Sequence, residues 1–501
     1  MNYTYQQEIK RIARHKALKN AVYFLTNRRD ELCCVERNYV RNLYDHFMYL
    51  DESRQQEEVK KIDSSYLTQW EQFHDSCIGY KKPIDLTVCY LCGPEPKNDF
   101  NELISLGVLP QNIWAFEIDD STYREALSTY EIGSFPQPRI IKGRIEKFFE
   151  QSPKNFDLVY IDACGSIPSG KHALRTISTL CKYCRLISPG IIITNFAQPD
   201  IKKMEIIHQY SQMMAIYFFF KLYPNEKIDI IDNSIVAKKF HELFEKIKLD
   251  FNKFYGDFIS SILRDIGSII IPLQRFLDTN YFQQIDDNQS TGTIDINSIH
   301  DNSICKYILF LHELQKKNIL DEKTKALLKE ISIFDGSENR LFKSFEFFYK
   351  LKNPLQYKNK QLEPLYDFFE KNSTYQFLDK PTSNLFLDLF INQNSYPLHY
   401  IAHKILRVEY VAKKTKMYVD IIPFDDCRYI YEWLPAFHQL SSAFSNPSWQ
   451  YVFRFAVDGL VKSRFLYNNE FFFQGSVVSN SVNKFKHKEI SDRGSIHELE
   501  D

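Results

Sequence analysis

Glycine is scarce in this chain, at 15 of 501 residues, whereas phenylalanine, tyrosine and tryptophan together make up 15%. A glycine share of about 3% is under half of the usual share of roughly 7%. Collagen-like and low-complexity architectures, which depend on glycine, are therefore excluded. With 44% hydrophobic residues, the chain has ample apolar material for a core, and its length favours a folded protein of about two to four domains.

The chain also lacks a net charge of one sign. Its 63 basic and 64 acidic residues leave a formal net charge of −1, which removes the strongest compositional sign of a nucleic-acid binder but leaves a local basic face open. Long apolar runs are missing too. The longest, residues 213–220, is far shorter than the roughly 20 residues needed to cross a bilayer, so no membrane span is predicted.

Targeting signals and a cysteine framework are absent as well. The first 25 residues contain no compact apolar stretch followed by a small-residue cleavage site, so a signal peptide is not predicted. The 10 cysteines are scattered along the chain, which fits reduced thiols better than a disulfide scaffold. These absences predict a cytoplasmic protein.

Proline and glycine, where they do occur, gather in one part of the chain. Ten of the 19 prolines lie between Pro83 and Pro199, and seven of the 15 glycines lie between Gly93 and Gly190. Within this part, short β-rich runs alternate with helix-length segments. The predicted strands cover residues 86–91, 113–118, 139–142, 157–161 and 191–195. Five apolar strands separated by helices are typical of an α/β, Rossmann-like fold with a doubly wound, mostly parallel sheet.

The rest of the chain predicts large additional helical regions and one hairpin. Two runs of alternating apolar residues, 406–412 and 417–423, predict an antiparallel hairpin that returns to the sheet. The predicted regions are a helical N-terminal region over 1–80, an α/β core over 81–223, a mostly helical insertion or second domain over 224–396 with a polar loop at 278–303, a hairpin with helices that completes the core over 397–474, and a disordered tail over 475–501.

The residues that follow the predicted strands carry the candidate chemistry, because ligands of open α/β sheets bind at the carboxyl ends of the strands. Gly93 follows the first strand, where the chain turns and can approach a ligand closely. Glu117 ends the second strand about 24 residues later, and a carboxylate at that spacing suits the hydroxyls of a ribose. The alternatives are a plain strand-to-helix turn at Gly93 and stabilisation of the next helix start by Glu117.

In this order of strands, loops and acids, residues 84–200 resemble the core of a class I S-adenosylmethionine-dependent methyltransferase. The resemblance implies that the first loop contacts the methionine part of the cofactor and that the acid after the second strand holds the ribose. It also implies that the third strand ends beside the adenine and the fourth beside the reacting methyl group. The implied cofactor-binding residues are Leu91, Cys92, Gly93, Pro94, Glu95, Glu117, Ile118, Gly143, Arg144, Ile145 and Asp162.

The fourth predicted strand ends in the segment DACGSIPS, residues 162–169. This segment is faintly similar to the Asp-Pro-Phe-Gly-Ser ending of tRNA guanine-N2 methyltransferases. Because methyl transfer needs a nucleophile held in line with the sulfonium, Asp162 and Ser166 are predicted catalytic residues, Asp162 orienting an amine or hydroxyl and Ser166 shaping the pocket. A helix or turn cap is the alternative role for Asp162.

Several groups of metal-binding residue types are present, but no metal site is predicted. The groups are Cys89 with Cys92, Cys181 with Cys184, His399 with His403, and the run Asp425, Asp426 and Cys427. Residues three apart on a strand point to opposite faces, and the second cysteine pair falls on a helix packed against the sheet. The two histidines would share a helical face but lack the glutamate of metalloproteases. The acidic run indicates a loop or a helix start.

The sequence therefore predicts methyl transfer from S-adenosylmethionine to an unidentified acceptor. The large helical additions favour a macromolecular acceptor, such as a nucleic acid, over a small metabolite. A first loop with a single glycine favours an alternative, a catalytically silent methyltransferase-like scaffold that binds protein partners within a larger assembly. Binding of another adenine nucleotide at the same strand ends is a third possibility.

Overall fold

A computed structural model describes residues 8–49, 54–130, 139–163, 165–168, 173–223, 234–277, 322, 392–433, 447–463 and 490–499. The predicted polar loop at 278–303, the predicted helical stretch beyond it and residues 475–489 of the predicted tail lie outside the described residues. Cys164 of the DACGSIPS segment also lies outside them.

The centre of the molecule is a sheet whose first five strands run parallel in the order β3-β2-β1-β4-β5. All five strands predicted from apolar, β-branched runs are confirmed. They are β1 (Val88–Leu91), β2 (Ile113–Glu117), β3 (Arg139–Lys142), β4 (Phe156–Asp162) and β5 (Leu186–Ala197). The last begins five residues earlier than the apolar run, because Leu186 already pairs with Phe156 of β4. Strands buried on both faces read as near-continuous hydrophobic runs, which is why they are visible in the sequence.

The predicted hairpin extends this sheet in antiparallel sense. Strand β8 (Thr415–Asp425) pairs with β5 on one side and with β7 (Leu406–Ala412) on the other, and the short strand β6 (His399–Tyr400) pairs with the end of β8. The two turn residues, Lys413 and Lys414, have φ values of 49° and 74°, as a two-residue hairpin turn requires. The sheet is thus mostly parallel and doubly wound, with an antiparallel hairpin beside β5.

The last strand corrects a prediction, because residues 475–501 are not disordered throughout. Strand β9 (Gly494–Ser495) pairs in parallel with β7. Arg493, next to it, forms an ion pair of 2.6 Å with the fully buried carboxylate of Asp420. The polar composition of residues 490–499 indicated disorder, but an edge pairing and one buried ion pair hold the segment on the sheet.

Helices cover both faces of the sheet. Successive residues of a strand point to opposite faces, so Tyr90 lies in one hydrophobic core and Cys89 in the other. The Tyr90 face carries α1 (Glu8–Thr26), α2 (Tyr39–Met48), α3 (Arg54–Val59), α4 (Ser65–Ile78), α5 (Lys97–Ser105), α6 (Asp120–Tyr130), α13 (Arg428–Tyr431) and α14 (Pro447–Ser463); the Cys89 face carries α7 (Ile145–Gln151), α8 (Ala173–Lys182), α9 (Met204–Leu222), α10 (Ser234–Leu249), α11 (Phe251–Asp265) and α12 (Ile271–Leu277). The N-terminal helices therefore share a core with the sheet.

The most apolar helix, α9, lies in the centre of the second layer. Its residues 213–220 are all buried, and Tyr217 packs edge-on against Phe258 of α11 with ring centroids 5.2 Å apart. The aromatic run is thus core, as the absence of interleaved basic residues predicts. In the part of the chain that the structure describes, no helix combines the length and apolarity that a bilayer span demands.

Candidate functional site

The sheet reverses its direction of winding between β1 and β4. Strands β2 and β3 lie on one side of β1, and β4 and β5 lie on the other. A crevice opens at such a switch point beyond the carboxyl ends of the strands, and ligands of doubly wound sheets bind there. The loops that follow β1 and β4 are therefore the candidate site, together with the end of the neighbouring β2.

The loop after β1 turns at Gly93, whose φ of +58° favours glycine over other residues. No atom lies within 4 Å of the place that a Cβ of Gly93 would take, so the loop is open to a ligand on that side. Cys92 extends the strand by donating its N–H to the Phe116 carbonyl at 3.1 Å. Glu95 accepts a hydrogen bond of 2.8 Å from the Asn98 side chain, which fixes the start of α5.

Glu117 lies where the ribose-binding acid is predicted. Its Oε1 atom accepts hydrogen bonds from the backbone N–H groups of Ile118 and Asp119 at 2.8 and 2.9 Å. The next side chain, Ile118, is 58% exposed, and Gly143 at the end of β3 donates its N–H to the Glu117 carbonyl. A half-buried carboxylate beside an exposed apolar side chain is the surface that a ribose and an adenine ring would need.

The alternative role of Glu117, starting the following helix, belongs to another residue. Asp119 accepts hydrogen bonds from the Thr122 N–H at 2.8 Å and the Ser121 hydroxyl at 2.6 Å, which makes it the cap of α6. These hydrogen bonds lower the pKa of Asp119 to about 2. Glu117 is therefore not needed as the cap of this helix.

Asp162 ends β4 at the switch point and is half-buried. Its Oδ1 atom accepts a hydrogen bond of 3.2 Å from the Asn195 side chain, which also contacts the Tyr410 hydroxyl at 3.0 Å. The carboxylate is thus oriented by the ends of β5 and β7. This placement suits a group that must hold an acceptor hydroxyl or amine in one position.

Ser166, the second predicted catalytic residue, lies in the loop after β4, where its hydroxyl contacts Tyr210. The Tyr210 hydroxyl donates to the Pro168 carbonyl at 2.8 Å. Because that uses its proton, the Ser166 hydroxyl, 3.0 Å away, is the donor to Tyr210. A hydroxyl engaged in this way fastens the loop after β4 to α9, and Tyr255 of α11 reinforces the loop by accepting the Ile167 N–H at 2.8 Å. The geometry favours a structural role for Ser166 over a catalytic one.

We expect the substitution Ser166→Ala to cost about 1 kcal/mol of stability, the value of one ordinary hydrogen bond. The reason is that the Tyr210 hydroxyl keeps its bond to Pro168 when the serine hydroxyl is removed. Urea unfolding measures the loss. Ser105→Ala, which removes an exposed hydroxyl on α5, is the control, and a loss above about 3 kcal/mol for Ser166→Ala would contradict this account.

One ion pair at the site is not predicted from the sequence. Arg14 of α1 contacts the buried carboxylate of Asp99 on α5, with Nε and Oδ1 2.6 Å apart. Their side chains are 15% and 9% exposed. The N-terminal helix therefore brings a cation to the carboxyl edge of the sheet, beside the loop that contains Gly93.

The charges around this ion pair act on one another. Burial, with the nearby charge of Asp162, raises the pKa of Asp99 to about 6, although Arg14 lowers it. Burial and the carboxylates of Glu117 and Asp99 raise the pKa of the Cys92 thiol to about 12. The candidate site thus combines three carboxyl groups with one arginine in a partly dehydrated crevice, and Cys92 is a neutral thiol there.

The remaining predicted residues lie at varying distance from the crevice. Leu91 packs half-buried against the core, Pro94 is half-buried in the first loop, and Arg144 is exposed. Ile145 is 4% exposed and packs with Phe149 in the core of the Cys89 face, so its backbone, not its side chain, is near the strand end.

The cysteine and histidine pairs for which no metal site is predicted lie on or next to strands, a helix and a 3-10 turn. Cys89 and Cys92 lie in opposite cores, as predicted, and Cys181 is buried on α8. The prediction that His399 and His403 share a helical face is wrong, because His399 lies on β6 and His403 on a single 3-10 turn. The prediction failed because β6 forms by pairing with β8, a partner about 25 residues later in the chain.

Comparisons with known proteins find similarity in solved structures alone, since no protein-family model and no curated protein matches the chain. A putative methylase from Haemophilus influenzae shares 16% identity over 23% of this chain and 66% of its own, with a TM-score of 0.20. An S-adenosylmethionine-dependent methyltransferase from Clostridium acetobutylicum shares 17% identity over 32% of this chain and 58% of its own, with a TM-score of 0.18.

A third structure, a putative caffeoyl-CoA O-methyltransferase from Staphylococcus aureus, shares 16% identity over 44% of this chain and 88% of its own, with a TM-score of 0.18. The chain spans just under two thirds of the Haemophilus protein and 58% of the Clostridium protein. These structural neighbours are methyltransferases, but the likeness is too low to carry an argument. The fold assignment rests on the strand pairings of this chain.

Proposed function

We propose that this protein binds S-adenosylmethionine at the carboxyl edge of its sheet and transfers the methyl group to an acceptor. The observation that carries the proposal is the placement of Glu117: a carboxylate at the end of β2, beside the exposed Ile118 and on the strand next to β1, which ends in the open turn at Gly93. This is the arrangement that binds an adenosine in doubly wound sheets.

Each strand end has a distinct part in the proposal. Glu117 holds the ribose hydroxyls, Ile118 and the Gly143 turn border the adenine, and the Gly93 turn admits the methionine part. When bound, S-adenosylmethionine supplies an electrophilic methyl group, whose bond to sulfur breaks, with its electron pair left on sulfur, as the acceptor's lone pair forms the new bond. Asp162, oriented by Asn195, positions the acceptor and receives its proton.

The acceptor in this proposal is a macromolecule, with a nucleic acid as the first candidate. What supports it is the amount of structure added to the sheet: α1 to α4 before β1 and α10 to α12 after α9. Tyr210 of α9 and Tyr255 of α11 also hold the loop after β4, so a helix added beyond α9 helps to shape the acceptor side of the crevice.

Calorimetric titration of the full chain with S-adenosylmethionine tests the proposal. We expect saturable binding that weakens by about 10- to 100-fold in Glu117→Gln, because a hydrogen bond to a charged group contributes about 1.5–3 kcal/mol. Glu125→Gln, which changes an exposed carboxylate on the neighbouring α6, is the matched control and should bind like the native chain. Absence of binding by the native chain would refute the enzyme proposal.

A silent methyltransferase-like scaffold is the second candidate, and one observation favours it. Arg14 is paired with the buried carboxylate of Asp99, so its charge is already balanced within the protein and is not free to bind the carboxylate of a methionine moiety. Under this alternative neither S-adenosylmethionine nor S-adenosylhomocysteine binds. Titration with ATP on the same samples separates the third possibility, another adenine nucleotide, from both.

A further inference from the structure

Two thiols and a carboxylate meet on the Tyr90 side of the sheet, away from the proposed cofactor site. The ligand atoms of Cys34, Asp425 and Cys427 all lie within 4.8 Å of one another, and all three residues are buried. Cys34 comes from the N-terminal region, Asp425 ends β8 and Cys427 precedes α13. Two distant segments of the chain, one around residue 34 and one over residues 425–427, thus converge on one point.

Asp425 is held rigidly at this point by hydrogen bonds. It accepts the backbone N–H groups of Cys34 and Cys427, both at 2.9 Å, the Tyr429 hydroxyl at 2.6 Å and the Ser188 hydroxyl at 3.2 Å. Its side chain is 1% exposed. Among the residues that the structure describes, no cation forms an ion pair with Asp425. A buried carboxylate without a cation is costly, and a metal ion is one of the two usual remedies.

Cys427 has a backbone conformation that points to the same conclusion. Its φ and ψ are 54° and 37°, in the left-handed region that costs a residue other than glycine about 1–2 kcal/mol. In this conformation its N–H donates to Asp425 and its Sγ lies 3.4 Å from Asp425 Oδ2. Local strain that brings a potential ligand into place is characteristic of functional sites.

The surroundings provide access and further polar groups. A cavity of about 970 Å³ is lined in part by Cys33, the residue before Cys34, and by His74; the three ligands lie behind this lining. His74 Nε2 donates to the Val35 carbonyl at 2.9 Å, so Nδ1 carries the lone pair. That Nδ1 is buried and has no hydrogen-bond partner among the described residues. The ring of His74 lies 4.4 Å, centroid to centroid, from that of Tyr429, which binds Asp425.

We propose that Cys34, Asp425 and Cys427 bind a zinc ion. Two thiolates and one carboxylate are ligand types that Zn²⁺ accepts, and a water from the cavity completes the tetrahedral set of four. His74 Nδ1 provides a hydrogen-bond acceptor close to this position. Binding replaces the protons of the two thiols, so two protons are released for each ion bound. The Zn²⁺ ion balances the two charges that the thiols gain on losing their protons, so the net charge of the site is unchanged, and the ion joins the N-terminal region to β8.

Elemental analysis of the purified full chain, equilibrated with Zn²⁺ and dialysed, tests the proposal. We expect about one zinc per chain. Cys34→Ser and Cys427→Ser should each bind zinc at least roughly 10- to 100-fold more weakly, because even the loss of a group that hydrogen-bonds to a ligand lowers metal affinity by that factor. Cys181→Ser, which changes a buried thiol on α8, is the matched control and should retain the native stoichiometry. Near-ultraviolet circular dichroism checks that each variant is folded.

A second measurement needs no variant and so remains decisive if a serine substitution prevents folding. Co²⁺ added to the metal-free native chain should give the intense near-ultraviolet absorption of thiolate-to-cobalt charge transfer, with release of two protons per ion. Native zinc content in Cys34→Ser, cobalt binding without that absorption, or no binding at all overturns the proposal. A disulfide between Cys34 and Cys427, found by peptide mapping of protein purified without oxygen, also overturns it.

Discussion

Replacing Arg493 with alanine is expected to lower the free energy of unfolding by about 3–5 kcal/mol, the usual cost of removing one partner of a buried ion pair. Its guanidinium is 2.6 Å from Asp420, whose side chain is completely buried in β8. The same guanidinium donates to the Val408 carbonyl at 3.0 Å and the Gly256 carbonyl at 3.0 Å. The alanine variant leaves the carboxylate and both carbonyls without this donor.

Urea unfolding followed by tryptophan fluorescence measures this loss. Arg493→Lys should lose less stability than Arg493→Ala, because it keeps the charge but cannot donate to several acceptors in the fixed geometry of a guanidinium. Asp492→Ala, at the exposed neighbouring position, is the control and should change stability by less than about 0.5 kcal/mol. A loss below about 1 kcal/mol for Arg493→Ala would show that residues 490–499 contribute little to the fold.

The substitution Arg14→Ala is expected to destabilise the protein strongly and in a pH-dependent way. It removes the partner of Asp99, whose pKa burial already raises to about 6, and therefore raises that pKa further. A carboxyl group with a raised pKa binds its proton more tightly in the folded state than in the unfolded state, where the pKa is about 4. Stability is then lost as the pH rises through this range.

We therefore expect Arg14→Ala to cost about 3–5 kcal/mol at pH 8, where Asp99 is charged and unpaired, and clearly less at pH 5, where it takes up a proton. Urea unfolding at the two pH values measures the difference. Arg11→Ala, which removes an arginine with a 71% exposed side chain from the same helix, is the control and should have little effect at either pH. Equal losses at pH 5 and pH 8 would contradict the role assigned to Asp99.

Four of the parallel strands could be predicted because they are largely buried and so leave a continuous apolar run between turn residues. The edge strand β3 is partly exposed and contributes two adjacent isoleucines as its signal. Glu117 could be placed for the same reason, since the end of an apolar run marks the end of its strand. The hairpin followed from period-2 alternation on either side of Lys413 and Lys414. In each case the signal lies within a dozen neighbouring residues.

The features missed depend on pairs far apart in the chain. Arg14 looks like one more charge on an amphipathic helix until α1 is packed beside Asp99, and Arg493 looks like part of a polar tail until Asp420 is known to be buried. Ser166 resembles an accessible hydroxyl because the residues around it do not indicate its partner Tyr210, which lies 44 residues later in the chain. Local composition contains no information about such partners, so the ion pair of Arg14 with Asp99 was not predictable.

The packing of α1 also has a consequence for synthesis of the chain. Helix α1 lies against β5, β7 and β8, and Lys16 donates to the carbonyl of Leu499, 483 residues later. At a translation rate of about 5–20 residues per second, the apolar side of α1 waits roughly 20–80 s for β7 and β8 to leave the ribosome. During that interval the nascent chain exposes Leu18, Ala21 and Leu25, which are fully buried in the finished protein, and we expect molecular chaperones to occupy this surface first.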